Sequence, residues 1–568
     1  MSQILRDRPR PAPRLATGRD RPSGVTLTVL GVILAGTAMR LALGCSLGLG
    51  IDESYMVAAG RVLRLGYFDH PPISWWLAAG AARLAGSEAA WVVRLPFVAL
   101  FALSTWLMFR LATALFGERA GMWAAIALNL APVFAIASGG WVLPDGPLDA
   151  CLLAAALCLV RALTGSGAAW RWWLAAGLAA GLALLSKYSA GLILAGALLY
   201  LLTQPRDRIW LRRPQPYAAA LLAALVFAPV IVWNASHGWA SFAFQGARAG
   251  AEHFQPLGPL AVLGGEALFM LPWLWLPLIV VMLRALRAGP ADWRTWLPCC
   301  LGLAPVILFA AIGFWSKHVL FHWAAPGYLM LLPLLGAELE RLARSRPVLV
   351  SRTLAGTLAL YAVAVALLVG EFRFDLLPAS LDRALPLARS EIQARDWTPL
   401  RSALAARGLL GPGLLMGGVG WQETGKIDLA LGGTVPTICL NADSRQYGFA
   451  PGIAAHLGDD VLIASTRQVT AESLARQSIW FDSLDDLAPV DIMPAGSGRA
   501  GRPGGMLFLV MGHGLHFSAL AAAHRAPGDP DARDVGAGGG VDDPLQLPRR
   551  TLARVEAQIA AGLTRIEQ

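Results

Sequence analysis

Charge is what this sequence has least of. Only 15% of its 568 residues are Asp, Glu, Lys or Arg, where a soluble domain carries about 25%. Hydrophobic residues make up 56%, which excludes an ordinary soluble protein. Lysine is scarcer still: of 47 basic residues only Lys187, Lys317 and Lys426 are lysines. A lysine retained against so strong an arginine bias is a candidate for work that arginine cannot do. The net charge of +10 lacks any basic cluster interleaved with a nucleic-acid-binding module, so a nucleic-acid partner is excluded. Six cysteines give no disulfide framework, since five lie in apolar runs and Cys439 stands alone. Neither Cys-x-x-Cys nor His-Glu-x-x-His occurs, so no cofactor is expected. A divalent metal is possible but not indicated, His318 and His322 having a spacing zinc can use. There is no internal repeat.

What the chain has in abundance is apolar runs near the ~20 residues that cross a bilayer as a helix. They follow one another from Val25 to about Gly370. Residues 1–24, with six arginines and four prolines, read as a basic, disordered cytoplasmic lead. Spans are expected near 25–48, 92–114, 119–138, 149–165, 170–186, between Ser189 and Arg206, and near 217–234, 261–283, 296–314, 323–337 and 348–370. Residues 50–90 are too polar to cross and are expected as short helices at the outer surface. About eleven spans place the arginine-rich connectors on one side, by the positive-inside rule. Odd parity then leaves 371–525 outside, where short apolar runs separated by Gly, Pro and Asp predict a small α/β domain. Residues 526–548 read as a linker and 549–566 as an amphipathic helix. The fold class is therefore a polytopic α-helical membrane protein with a small C-terminal α/β extracytoplasmic domain.

The ionisable residues are gathered on one side. All nine histidines fall in the outer loops or the C-terminal region, with Asp52, Glu53, Asp69, Asp145, Asp149, Glu252 and Lys187. A transporter places such groups near the midplane on broken helices; an interfacial enzyme places them as here. Carboxylates from different loops, Asp52-Glu53 and Asp145, can supply a general base and a partner that orients it. Lys187, Lys317, His70, Arg94, His318 and His322 share one depth, which suits a lipid phosphate. Snorkelling anchors explain any single one of these equally well.

Ordered motifs carry a resemblance. Ile51-Asp52-Glu53-Ser54-Tyr55, Gly66-Tyr67-Phe68-Asp69-His70-Pro71-Pro72, Val93-Arg94-Leu95-Pro96, Leu115-Phe116-Gly117, Pro144-Asp145, Ser186-Lys187 and His322-Trp323-Ala324-Ala325-Pro326-Gly327-Tyr328 follow in sequence. In the C-terminal region, Gly425-Lys426-Ile427-Asp428 and Ser444-Arg445-Gln446-Tyr447 continue the likeness more loosely. The set resembles the bacterial branch of the dolichyl-phosphate-mannose protein mannosyltransferase family, which includes lipid A aminoarabinose transferases and belongs to the GT-C superfamily. The resemblance implies transfer of a sugar from a polyprenyl-phosphate donor to a lipid, glycan or protein acceptor on the outer face of the inner membrane, with inversion. It implies Asp52 as the catalytic carboxylate, assisted by Glu53 or Asp145. Tyr67, Asp69, His70, Arg94, Lys187, Lys317 and His322 are the expected substrate-binding residues. Tyr55 stands where certain relatives carry a phosphate-binding arginine. The rival expectation is a carrier or flippase for lipid-linked glycans, which ionisable pairs at mid-depth would favour; those found are mainly Arg40 in the first span and Glu266 near the outer end of the eighth.

Overall fold

The computed structural model describes residues 23–165, 168–248, 253–316, 319–374, 395–441, 443–449, 453–492 and 506–517. Lys317, His318, Glu252 and the expected tail 526–568 lie outside them.

Every expected span within these residues is helical. Helix α1 is Gly24–Ser46, and its 23 residues rise about 34 Å at 1.5 Å each, enough for a bilayer core. Ser23 opens it by accepting a hydrogen bond from the Thr26 amide at 3.2 Å. Next come two helices of the polar outer segment, α2 (Ile51–Gly60) and α3 (Ile73–Ala85). Then follow α4 (Ala90–Phe116), α5 (Glu118–Leu130), α6 (Asp145–Thr164), α7 (Ala169–Ser186), α8 (Ala190–Thr203), α9 (Pro214–Ser236) and the short α10 (Ala240–Ala247). The series closes with α11 (Gly258–Met270), α12 (Pro272–Ala288), α13 (Trp293–Ile312), α14 (Ala325–Ser345) and α15 (Pro347–Phe374). Among the described residues, seven helices are long and apolar enough to cross a membrane, and α8 and α11 are shorter apolar helices.

Two expected spans are interrupted: 119–138 is α5 followed, after Ala131 and Pro132, by a π-helical segment Val133–Ser138, and 261–283 is two helices. Residues 261–283 break at Leu271, whose φ of 68° ends α11 before Pro272 starts α12. Proline removes the amide the helix needs and pushes the residue before it out of the α region. Small residues let the helices approach closely, as in other membrane bundles. A Cβ on Gly177 of α7 would collide with the Ala219 carbonyl of α9.

The C-terminal region folds around a five-stranded mixed sheet of order β2-β1-β3-β5-β4. Strands β1 (Leu415–Gly418), β2 (Thr437–Cys439) and β3 (Val461–Ser465) are parallel and almost wholly buried. Their continuous apolar runs are what burial on both faces demands. β4 (Ile479–Asp491) and β5 (Met506–Phe517) are antiparallel and form the outer edge. The crossover between β1 and β2 is the helix Trp421–Ala430.

That crossover helix is the joint with the membrane half. A Cβ on Gly425 would lie 2.7 Å from the Tyr55 Cα, so only glycine permits this approach to α2. Arg61 bridges the halves, meeting Asp428 at 2.6 Å and Glu88 at 2.7 Å. The buried Lys426 amine donates to the Leu49 carbonyl at 2.5 Å and the Arg395 carbonyl at 2.6 Å. Burial pushes that amine down to about 7.

Candidate active site

α1 ends with its chain turning directly into α2, so Asp52 and Glu53 occupy the first turn of a helix, where the helix dipole favours negative charge. Their side chains then part company. Glu53 is buried and its carboxylate is fully engaged: Arg94 donates to it at 2.6 and 2.8 Å, and the Gly50 and Val142 amides donate at 2.8 and 3.0 Å. Burial opposes ionisation of Glu53, but Arg94 and the two amides hold it below the usual range. Arg94 spends its remaining donors on the carbonyls of Leu47 at 2.9 Å and Gly48 at 2.8 Å. Both residues were expected at the substrate; the structure gives them to each other and to the α1–α2 bend.

Asp52, by contrast, is exposed, and no hydrogen bond reaches its carboxylate among the described residues. Protein still surrounds it. That burial pushes its acidity constant up, Arg445 and Arg248 pull it down, and Asp69 and Glu53 add to the rise.

Asp69 is buried at the end of the α2–α3 connector. Tyr55 donates to it at 3.2 Å, and Arg445 meets its other oxygen at 3.3 Å. The Gln245 side-chain amide donates to its main-chain carbonyl at 2.5 Å. Tyr55 is buried, which raises its hydroxyl well above the usual value and keeps it a donor.

Asp145 starts α6, and Lys187 caps the end of α7. The lysine donates to both oxygens of Asp145, at 2.8 and 3.1 Å. His70 and His322 lie within the field of this pair and of Arg248. Burial pushes both imidazoles down to about 4, so both are neutral at pH 7. Neither imidazole therefore adds positive charge to the cluster at that pH. The His70 Nδ1 is buried and without a partner among the described residues.

Tyr67 does not reach this cluster. Its ring stacks on Trp75 at 4.2 Å, and its hydroxyl donates to the Val62 carbonyl and accepts from the Arg64 amide. Lys317 lies outside the described residues.

Two cations at the centre were not among the expected site residues. Arg248 follows α10 and stands over the Trp323 ring at 4.7 Å. Arg445 comes from the C-terminal domain and stacks on Trp421 at 3.7 Å. A signal for Arg248 was available: it is an arginine in a loop expected outside, against the rule that places arginines inside. For Arg445 only the Ser-Arg-Gln-Tyr motif hinted at a role. A cleft of about 510 Å³ lined in part by Arg64, Trp76, Trp233 and His237 lies beside the cluster. Phe449 stands between, with ring centroids 5.5 Å from Trp233 and 5.6 Å from Phe68.

The in-span ionisable residues have structural partners. Arg40 donates to the Ala135 carbonyl at 2.9 Å and lies over the Phe101 ring at 4.0 Å. Glu266 accepts from the Tyr328 hydroxyl at 2.5 Å.

Residues 69–233 match the family described as Dolichyl-phosphate-mannose-protein mannosyltransferase. A comparison with curated protein sequences gives no match. Among solved structures the chain is similar to ArnT from Cupriavidus metallidurans in the apo state, with TM-score 0.57 and 15% identity over 86% of this chain and 98% of that one. The same protein bound to undecaprenyl phosphate gives TM-score 0.58 and 16% identity over the same shares. At such identity the likeness is one of fold. The chain is thus a multi-pass membrane protein with the fold of the ArnT structures, and its residues 69–233 match that mannosyltransferase family.

Proposed function

We propose that the protein transfers a sugar from a polyprenyl-phosphate donor to a hydroxyl of a lipid, glycan or protein acceptor at the outer face of the inner membrane, with its C-terminal domain periplasmic. The observation that carries this reading is the arrangement around Asp52. One accessible carboxylate without a hydrogen-bond partner among the described residues shares a polar cluster with Arg248, Arg445 and Lys187. The solved ArnT complex holds undecaprenyl phosphate, and a lipid phosphate is the ligand those cations suit.

The reaction is a single displacement. The acceptor oxygen attacks the anomeric carbon as its proton passes to Asp52. The bond from that carbon to the phosphate oxygen breaks, and polyprenyl phosphate leaves with the electron pair. Inversion follows from attack opposite the leaving group. Negative charge grows on the phosphate, where Lys187 and Arg248 stabilise it in a partly desolvated site. Neutral His70 and His322 add hydrogen bonds there. Glu53 and Arg94 act at one remove, fixing the bend that presents Asp52.

The carrier reading loses its footing on Arg40 and Glu266, each of which has a partner inside the bundle. Mass spectrometry of envelope lipids and proteins, with and without the protein, tests the proposal. Loss of one glycoform with accumulation of a polyprenyl-phosphate sugar is expected. Accumulation of the same lipid on the cytoplasmic leaflet alone would support transport instead.

A further inference from the structure

Two arginines in this protein show opposite habits. Arg94 is what a structural arginine looks like here: Nε and both terminal nitrogens donate to a buried carboxylate or a carbonyl, with a bond of 2.9 Å or shorter from each. Among the described residues Arg445 makes a single hydrogen bond, to Asp69, and it is long at 3.3 Å. Its Nε is buried and forms no hydrogen bond within that set. Asp443 is 3.5 Å from that nitrogen, near enough for attraction but beyond a directed bond. A guanidinium carries five donors in a rigid fork, so most of this one's capacity is unspent beside the cluster.

The backbone tells the same story. Arg445 has φ of 46°, in the left-handed region that non-glycine residues rarely adopt. Such conformations cost of order 1–3 kcal/mol and persist where surroundings enforce them. Here the neighbouring residue does so: the Gln446 amide donates to the Tyr55 hydroxyl at 3.0 Å, and the Phe68 amide donates to the Gln446 side chain at 3.0 Å. Trp421 supports one face of the guanidinium at 3.7 Å. The loop is thus bolted to α2 and to the Asp69 connector, and its result is to aim one charged fork at the centre. A cross-domain ion pair alone would need neither the left-handed backbone nor the idle donors.

We propose that Arg445, delivered by the C-terminal domain, binds the phosphate of the lipid-linked donor, so that the membrane half alone is an incomplete donor site. The proposal rests on the polyprenyl-phosphate reading above. The donor's phosphodiester offers two non-bridging oxygens, which the paired donors of the fork match. Tyr55 on α2 is neutral, and the guanidinium that meets the same Asp69 arrives from the other domain.

The test is equilibrium binding of undecaprenyl phosphate and of undecaprenol, which lacks the phosphate, to the full chain in phosphatidylcholine nanodiscs. Wild type is expected to prefer the phosphate. Arg445→Gln should lose about 10- to 100-fold of that preference, the worth of a hydrogen bond to a charged group, with undecaprenol affinity unchanged. Arg445→Lys keeps the charge without the fork and should fall between; it decides the matter alone if the glutamine variant does not fold. An unchanged preference in the variants overturns the proposal, as does equal loss for both ligands, which marks a structural role. A wild type that fails to distinguish the two lipids overturns the donor reading itself, and this proposal with it.

Discussion

Lys187 and Asp145 meet through two hydrogen bonds, 2.8 and 3.1 Å, although they are carried at the ends of different helices and lie 42 residues apart in sequence. The pair anchors the side of the cluster occupied by His70 and His322. It gives one of the chain's three lysines a defined partner, its ammonium donating to both oxygens of one carboxylate.

The first prediction separates the two duties of that lysine. Lys187→Ala should weaken donor binding about 10- to 100-fold. It also strands a buried carboxylate, so Asp145→Asn and the Lys187→Ala/Asp145→Asn double variant complete the comparison. Donor affinity measured across all three should stay weak in the double variant. Recovery to wild-type affinity would assign Lys187 to holding Asp145 and nothing more.

Glu53 and Arg94 are predicted to govern stability. Each is buried, and removing one leaves an uncompensated charge at a cost of about 3–5 kcal/mol. Arg94→Ala and Glu53→Ala should therefore lose folded protein sharply in thermal unfolding followed in detergent. Asp52→Asn, at an exposed position without a hydrogen-bond partner among the described residues, should change it by no more than about 0.5 kcal/mol. Equal stability of all three variants would return Glu53 to the list of site candidates.

Much of this molecule is legible in its sequence, because a bilayer imposes simple rules. Apolar length and arginine placement located the helices, and Gly-, Pro- and Asp-separated apolar runs located the sheet of the C-terminal domain. The break at Leu271 was harder to see, since Pro272 lies within an otherwise continuous apolar run. Asp52, Asp69, Asp145, Lys187, His70 and His322 lie within one another's electrostatic reach. The pairing of Glu53 with Arg94 joins α2 to α4, a contact between distant segments that neither motif displays. The stacking of Tyr67 on Trp75 is likewise a matter of packing that its motif does not show. Arg445 was out of reach, because it lies 376 residues from its partner Asp69 and only domain docking joins them.

The pH dependence follows from charge placement. Burial raises Asp52, the arginines lower it, and the balance lies above the ordinary carboxylate range. A base is lost as pH falls through its folded value, so kcat/KM should decline on an acid limb above that of a free aspartate. His70 and His322, held at about 4, stay neutral from pH 5 upward and should leave that limb unmoved. The profile of His70→Gln and His322→Gln protein checks this. Disappearance of the limb in either variant would make that histidine the titrating base.

The central claim is that Asp52 takes the acceptor's proton, and single-turnover transfer by purified Asp52→Asn protein loaded with its lipid donor tests it most directly. Asparagine keeps the size and most hydrogen bonding but removes the basicity, so the rate should fall by about 10²- to 10⁴-fold with donor binding retained. Asp145→Asn, measured beside it, should act mainly on donor affinity. Near-wild-type turnover by the Asp52 variant would contradict the account, and inactivity of Asp145→Asn alone would move the base to the start of α6.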